Sequence, residues 1–482
     1  MSALPFAFAQ RFGVLLDQGC LWVREDAPLT AVTEGLRLMP PQASLQVLGA
    51  AEFASQLARC YQEGHSAAEQ MAQGLDGDLD LLQVAEQLPR TADLLEQEGD
   101  APIIRLINAL LGQAVREKAS DVHLETFEHS MVVRLRIDGQ LREVLRPRRE
   151  LAGLLVSRIK VMARLDIAER RLPQDGRMAL RLAGHEVDVR VSTLPSAHGE
   201  RVVLRLLDKQ AGRFDLAALG MASDTLSRWR DVLARPHGIV LVTGPTGSGK
   251  TTSLYAALER LNDSSRNILT VEDPVEYHLP GIGQIPVNPR VDMTFARGLR
   301  AILRQDPDVV MVGEIRDGET AQVAVQASLT GHLVLSTLHT NSAVSAITRL
   351  LDMGVDAYLL ASSLTAVLAQ RLVRTLCSVC KVAHDVGAQD LRRLGLAVAP
   401  PTPLYRAAGC EHCLQGYRGR QGIYELVVMD PALAAMVHAG AAEGDLLKVA
   451  RQAGTGLFED GLRLVLAGQT SIDELLRVTG AT

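Results

Sequence analysis

The stretch Gly238-Ile-Val-Leu-Val-Thr-Gly244-Pro-Thr-Gly-Ser-Gly249-Lys250-Thr251-Thr252 decides how the rest of this chain is read. Ile239, Val240, Leu241 and Val242 form a short apolar run closed by Thr243, the pattern of a buried strand. Gly244, Pro245, Thr246, Gly247, Ser248, Gly249, Lys250 and Thr251 then match G-x-x-x-x-G-K-[ST], with Thr252 following. Leu254, Ala257, Leu258 and Leu261 recur at helical spacing, so the element reads strand, loop, helix. Glycines in such a loop let backbone N–H groups turn inward around phosphate oxygens. The helix start adds its dipole, Lys250 is spaced to reach the β- and γ-phosphates, and the Thr251 hydroxyl is placed for Mg²⁺. A glycine-rich connection could match by chance, but strand, helix, lysine and threonine together argue against that. The expectation is an ATP site.

Three further apolar runs, Ile268–Val271, Val309–Val312 and Leu333–Thr337, are short and continuous. That is the signature of a mostly parallel sheet buried on both faces, whose ligands bind beyond the carboxyl ends of the strands. Glu272, Asp273 and Glu276 cluster just past the first run, where carboxylates hold a magnesium water shell, orient the attacking water, or simply solvate a loop. The second run ends in Gly313-Glu314, and Glu314 is expected to take a proton from water as general base. His332 and His339 bracket the third run, and His332 is the candidate γ-phosphate sensor. Arg297, Arg300 and Arg304 share a helical face, as a solvated stripe or as groups bearing on phosphate or a neighbouring subunit.

Cys377-Ser-Val-Cys380 and Cys410-Glu-His-Cys413 are two C-x₂-C knuckles. Four thiolates suit tetrahedral zinc, whereas a thioredoxin-like redox site needs one pair only. His412 is then a bystander, and the zinc closes a subdomain over 375–425. Cys20 and Cys60 have no ligand-like neighbours and read as buried thiols.

At 482 residues the chain needs several cores. Residues 1–95 carry no catalytic signature and read as a small helical domain bounded by acidic stretches. Residues 101–208 switch from helical period (Ile103 to Val115) to strand period, with Asp138-Gly139 as a hairpin turn, and form an α+β domain. Arg190, Arg201 and Arg205 lie on its polar strand positions. Residues 209–224 read as a linker, and 225–482 as the nucleotide-binding domain. A formal charge of −6 gives no general attraction to nucleic acid. No apolar run approaches the ~18–20 residues of a membrane span, so membrane contact is expected only through a partner.

Taken in order, the phosphate loop, the acidic segment 268–277, Gly313-Glu314 and the His332–His339 segment resemble the secretion ATPase superfamily. Ser120-Asp-Val-His-Leu-Glu125, Arg190-Val-Ser-Thr-Leu-Pro195 and Gly199-Glu-Arg201 resemble that superfamily's preceding domain. The four cysteines are similar to extension-type enzymes rather than retraction motors. Leu4-Pro-Phe-Ala-Phe8 with Arg11-Phe-Gly13 resembles the type II secretion assembly ATPases more than those of type IV pilus assembly. The resemblance implies a multidomain α/β protein with a RecA-like ATPase domain behind a PAS-like α+β domain. It further implies a homo-hexamer, cytoplasmic and peripheral on the inner membrane through a membrane partner. The N-terminal domain, without catalytic signature and hung on acidic linkers, is expected to dock there on a secretion platform protein. Arg190 and Arg205 become the candidate phosphate contacts supplied from the preceding domain. A nucleic-acid motor and a non-catalytic scaffold stand as the other readings; few aromatics disfavour the first, and an intact Lys250, Thr251 and Glu314 disfavour the second.

Overall fold

The computed structural model describes residues 9, 12–17, 20–37, 44–50, 52–53, 56, 101–182, 185–208, 215–397 and 403–480. Two compact units emerge, 1–137 with 141–208, and 138–140 with 209–482.

At the start of the first unit, β1 (Val14–Asp17) and β2 (Cys20–Arg24) form an antiparallel pair, and β3 (Ser44–Leu48) joins β2 in parallel. Helix α1 (Leu29–Arg37) packs on them. The helical reading of this region is therefore corrected to a mixed one among the described residues. Val14 and Leu16 point into one apolar cluster with Leu21, Val23 and Ala31, while Leu15 points into another with Phe53. With both faces covered, β1 shows no polar alternation to betray its period. Cys20 is a partly buried free thiol; Cys60 lies outside the described residues.

Residues 121–208 build an antiparallel six-stranded sheet in the order β6-β5-β4-β9-β8-β7. Its strands are β4 (Asp121–Thr126), β5 (Met131–Ile137), β6 (Gln140–Leu145), β7 (Gln174–Leu182), β8 (His185–Ser196) and β9 (Gly199–Asp208). Asp138 and Gly139 have φ of 49° and 84°, as the hairpin turn requires. Helices α2 (Ala101–Arg116) and α3 (Glu150–Met162) cover one face with Ile107, Leu111, Leu155 and Ile159 over Val122, Leu124 and Leu135. The polar face of the same strands carries a cross-strand row in register: Arg136, Asp121, Arg205, Arg190 and Arg177.

The second unit begins with a 3₁₀ turn, Leu216–Leu219, capped by the Asp215 carboxylate. Leu216 and Met221 are buried, the Tyr424 hydroxyl donates to the Leu219 carbonyl, and Gln421 and Arg463 donate to that of Gly220. The 209–224 segment read as a linker is thus anchored from residue 215 onward, because two apolar side chains and two carbonyls are satisfied there. Helix α4 (Ser223–Leu233) follows, burying Trp229.

The main sheet runs β12-β11-β13-β14-β10-β15-β18. Strands β10 (Gly238–Thr243), β11 (Ile268–Glu272), β12 (Gly283–Pro286), β13 (Val309–Val312) and β14 (Leu333–Leu338) are parallel. β15 (Leu364–Leu376) continues parallel to β10, and β18 (Tyr417–Val428) returns antiparallel. On one face lie α4 and α5 (Lys250–Leu261). On the other lie α6 (Phe295–Ile302), α7 (Gly318–Leu329), α8 (Ala343–Asp352) and α9 (Ala357–Ser363). The strands are apolar on both sides for that reason. After β15 come the two-stranded sheet of β16 (Val382–His384) and β17 (Leu404–Arg406), with α10 (Ala388–Leu394) between them. Four further helices close the chain: α11 (Pro431–His438), α12 (Glu443–Ala453), α13 (Leu457–Leu466) and α14 (Ile472–Thr479).

Candidate nucleotide site

The phosphate loop leaves the carboxyl end of β10 and enters α5 at Gly249, which has φ 86° as N-cap. A Cβ at Gly244 would stand 2.4 Å from the Gln370 carbonyl, so only glycine lets the loop sit this close to β15. Thr243 fixes the loop's root: its hydroxyl donates to the Leu338 carbonyl (3.1 Å) and accepts from the Thr340 amide (3.0 Å).

Lys250 is buried and folds back onto the loop, donating to the carbonyls of Gly244 (2.8 Å) and Pro245 (3.2 Å). Burial pushes its ammonium down to about 8; Glu314 opposes the fall and Arg371 adds to it. The Ser248 hydroxyl is buried without a protein partner, while Pro245, Thr246, Gly247, Thr251 and Thr252 are open to solvent. A cation, an unused hydroxyl and a helix N-terminus converging on one loop fit a polyphosphate.

Beside Lys250 runs a chain of charged groups. His339 Nδ1 lies 3.4 Å from Lys250 Nζ, and its Nε2 lies 3.4 Å from the Glu314 carboxylate. Glu314 pairs with Arg316, whose guanidinium is 3.6 Å from Asp273 and stacks on Phe295. Two hydroxyls hold the strand ends in step: Ser336 donates to the Val312 carbonyl and Thr337 to that of Gly313, each at 2.8 Å.

Two expectations are corrected here. His332 lies at the amino end of β14, where its carbonyl accepts from the Gly238 amide and its Nδ1 sits 2.8 Å from the Ala327 carbonyl. Parallel strands put that end a full strand length from the phosphate loop, so the histidine at the site is His339. Glu272 is buried, and its carboxylate accepts from Thr270 (2.6 Å), Gln284 (3.0 Å) and the Tyr255 hydroxyl. It braces α5 against β11, and Asp273 is the acid that turns outward. Arg297, Arg300 and Arg304 engage Asp292, Glu319 and the Arg300 carbonyl on the surface of α6. Arg190 and Arg205 belong to the other unit, where Arg205 Nε donates to Asp121 (3.0 Å) and half its side chain is exposed. His339, Arg316 and the Gln370–Arg371 pair were not assigned from sequence. For His339 the signal was available: it follows a strand's carboxyl end, where ligands bind.

The four cysteine sulfurs all lie within 4.8 Å of one another, with Cys377–Cys410 at 4.0 Å and Cys380–Cys413 at 3.7 Å. The amides of Gly409 and Cys410 point at Cys380 and Cys413 Sγ, each at 3.3 Å. Against the His412 amide, which pulls it down, burial and the three neighbouring thiols push Cys410 up to about 12. Four sulfurs this close, with amides donating to them, suit a tetrahedral cation. His412 is exposed beside Glu411.

A mostly parallel sheet with helices on both faces, a phosphate loop after β10 and the Glu314 carboxylate past β13, with β14 between those two strands, define a P-loop ATPase. The model of the type II/IV secretion system protein family matches residues 96–477, and that of an N-terminal domain of GSPII protein E matches 3–61. The chain belongs to the type II/IV secretion system protein family. Type II secretion system protein E of Pseudomonas aeruginosa is 61% identical over 481 residues, covering 99% of this chain and 96% of that one. Type II secretion system ATPase E of Vibrio cholerae is 56% identical over 484 residues, covering 99% and 96%. Among solved structures, the pilus retraction motor PilT with bound ADP shares 26% identity at a TM-score of 0.52, covering 77% of this chain and 96% of that one. The Legionella pneumophila ATPase DotB, at 22% identity and TM-score 0.58 over 77% and 94%, shares the fold.

Proposed function

We propose that this ATPase powers pseudopilus assembly in type II protein secretion, working as a homo-hexamer on the cytoplasmic face of the inner membrane. The N-terminal domain docks on a membrane platform protein, and membrane contact is made through that partner alone. Likeness over nearly the full chain to proteins named for type II secretion supports this over pilus assembly. The N-terminal match at 3–61 supports the docking role, and among the described residues no helix is long and apolar enough to cross a membrane.

The observation that carries the enzymology is the continuous run Lys250–His339–Glu314 beside the phosphate loop. ATP lies along Gly244–Thr252, with Lys250 on its terminal phosphates. The Thr251 hydroxyl would hold Mg²⁺, which would supply charge neutralisation at the phosphates. Glu314 takes the proton of the attacking water, and His339 donates to the γ-phosphate in the role first read for His332. Glu272 holds the loop helix in place. Arg190 and Arg205, whose planar guanidinium groups suit bidentate phosphate contacts, are the candidate nucleotide sensors outside the loop. Cys377, Cys380, Cys410 and Cys413 would hold zinc, which would supply a structural closure.

Purified full-length protein tests this by its ATP turnover alone, with the cytoplasmic domains of inner-membrane secretion proteins, and with DNA. Stimulation by one such domain and none by DNA is expected. Stimulation by DNA alone would move the chain to the nucleic-acid motors.

A further inference from the structure

Two arginines on β15, three residues apart, are equally buried, each 9% exposed. Arg374 meets Glu474 with two donors, at 2.7 and 3.0 Å, and its guanidinium stacks 4.1 Å from the Tyr417 ring. Arg371 meets no carboxylate at ion-pair distance among the described residues. Its partners are all carbonyl oxygens: Nη1 donates to Gln370 (3.1 Å), and Nη2 to the Asn341 backbone (2.8 Å) and side chain (3.3 Å). A buried charge held by neutral acceptors alone is costly, and the cost falls when an anion arrives.

The surroundings say which anion. The parallel register sets Ala369 beside Thr243, so Arg371 stands level with the phosphate loop. A Cβ on Gly244 would lie 3.2 Å from Arg371 Nη1. Asn341 is two residues past His339, so the same guanidinium touches both walls of the site. Burial lowers Arg371's own basicity, with Glu425 opposing from a distance, and its charge depresses that of Lys250. Two neighbouring cations thus face one loop, with Glu314 as the acid that offsets Lys250.

We propose that Arg371 is a second cation of the nucleotide site, taking the polyphosphate of ATP as the counter-ion it otherwise lacks. Its fork keeps the carbonyl bonds that hold the 339–341 segment to β15, while its charge adds to that of Lys250 on the phosphates.

The test is calorimetric affinity for Mg-ATP and for inorganic triphosphate, in full-length Arg371→Gln and Arg371→Lys, alongside nucleotide-free melting. Arg371→Gln is expected to lose affinity for both probes by about tenfold or more, whereas Arg371→Lys, which keeps the charge, stays within about threefold of wild type. Wild-type affinity in folded Arg371→Gln would overturn the proposal, as would equal losses in the two variants, which would make the role one of shape. If Arg371→Gln does not fold, Arg371→Lys decides alone. A loss beyond about tenfold with unchanged nucleotide-free melting would then contradict a role through charge.

Discussion

Lys250 carries the most specific pH signature of the site. With its ammonium down at about 8 in the free protein, it is charged below that pH and neutral above it. Polyphosphate binds the charged form, so binding above pH 8 must take up a proton, and affinity falls by up to about tenfold per pH unit. Mg-ATP affinity measured from pH 7 to 9.5 should be flat and then decline; a flat profile throughout would remove Lys250 from the phosphate contacts. His339 and His332 make a second pair of expectations. His339→Ala should lower kcat by about 10²-fold with little change in Mg-ATP affinity, because it acts on charge that develops during transfer. His332→Ala should keep turnover within about twofold and cost about 1 kcal/mol of stability through its lost bond to Ala327. Equal kcat losses in both would restore the sequence-based assignment. The phosphate loop was legible because its chemistry demands glycines at fixed places along a short segment. The choice between two histidines was not, since it depends on which end of a strand meets the ligand. Glu272 misled for a related reason: its three donors come from β11, α5 and β12, and only folding brings them together.

At the level of elements, β15 links the nucleotide site to the cysteine cluster. It passes beside the phosphate loop, ends at Leu376, and is followed at once by Cys377, whose amide donates to the Gly416 carbonyl. The small sheet β16–β17 is too short to hold a core of its own, so its order should depend on the metal. Cys410→Ser is expected to lose one zinc per chain and hydrogen-exchange protection over 375–425, while the protection of β10 and α5 survives. Retained protection with no zinc by metal analysis would contradict a structural metal. Paired C-x₂-C spacing made this cluster readable without structure. The strands β1–β3 were not, because apolar residues on both faces of β1 erase the alternation. Nor was the anchoring of 216–221, where the Leu219 and Gly220 carbonyls accept from Tyr424 on β18 and Arg463 on α13, far away in sequence.

For the whole molecule, coupling hydrolysis to work requires a second body to sense the nucleotide. In the polar row across the first unit's sheet, Asp121 holds Arg205, and Arg190 is its cross-strand neighbour. Arg190→Ala and Arg205→Ala should each lower steady-state turnover of the assembled protein by about 10²-fold or more while nucleotide affinity changes little. Unchanged turnover in both would return them to a solvated face. The architecture of 101–208 and of the parallel sheet was largely readable from period and turn chemistry, since the strands of 101–208 and the parallel runs after Gly238 appear where the alternation and the apolar blocks put them. The measurement that bears most directly on the central claim joins the site to the biology. Glu314→Gln keeps shape and loses basicity, so it should bind Mg-ATP with wild-type affinity and not cleave it. In cells carrying it as the sole copy, at wild-type protein level, type II substrates should stay in the periplasm and be absent from the medium. Normal export by such cells would contradict the claim that hydrolysis at this site drives secretion.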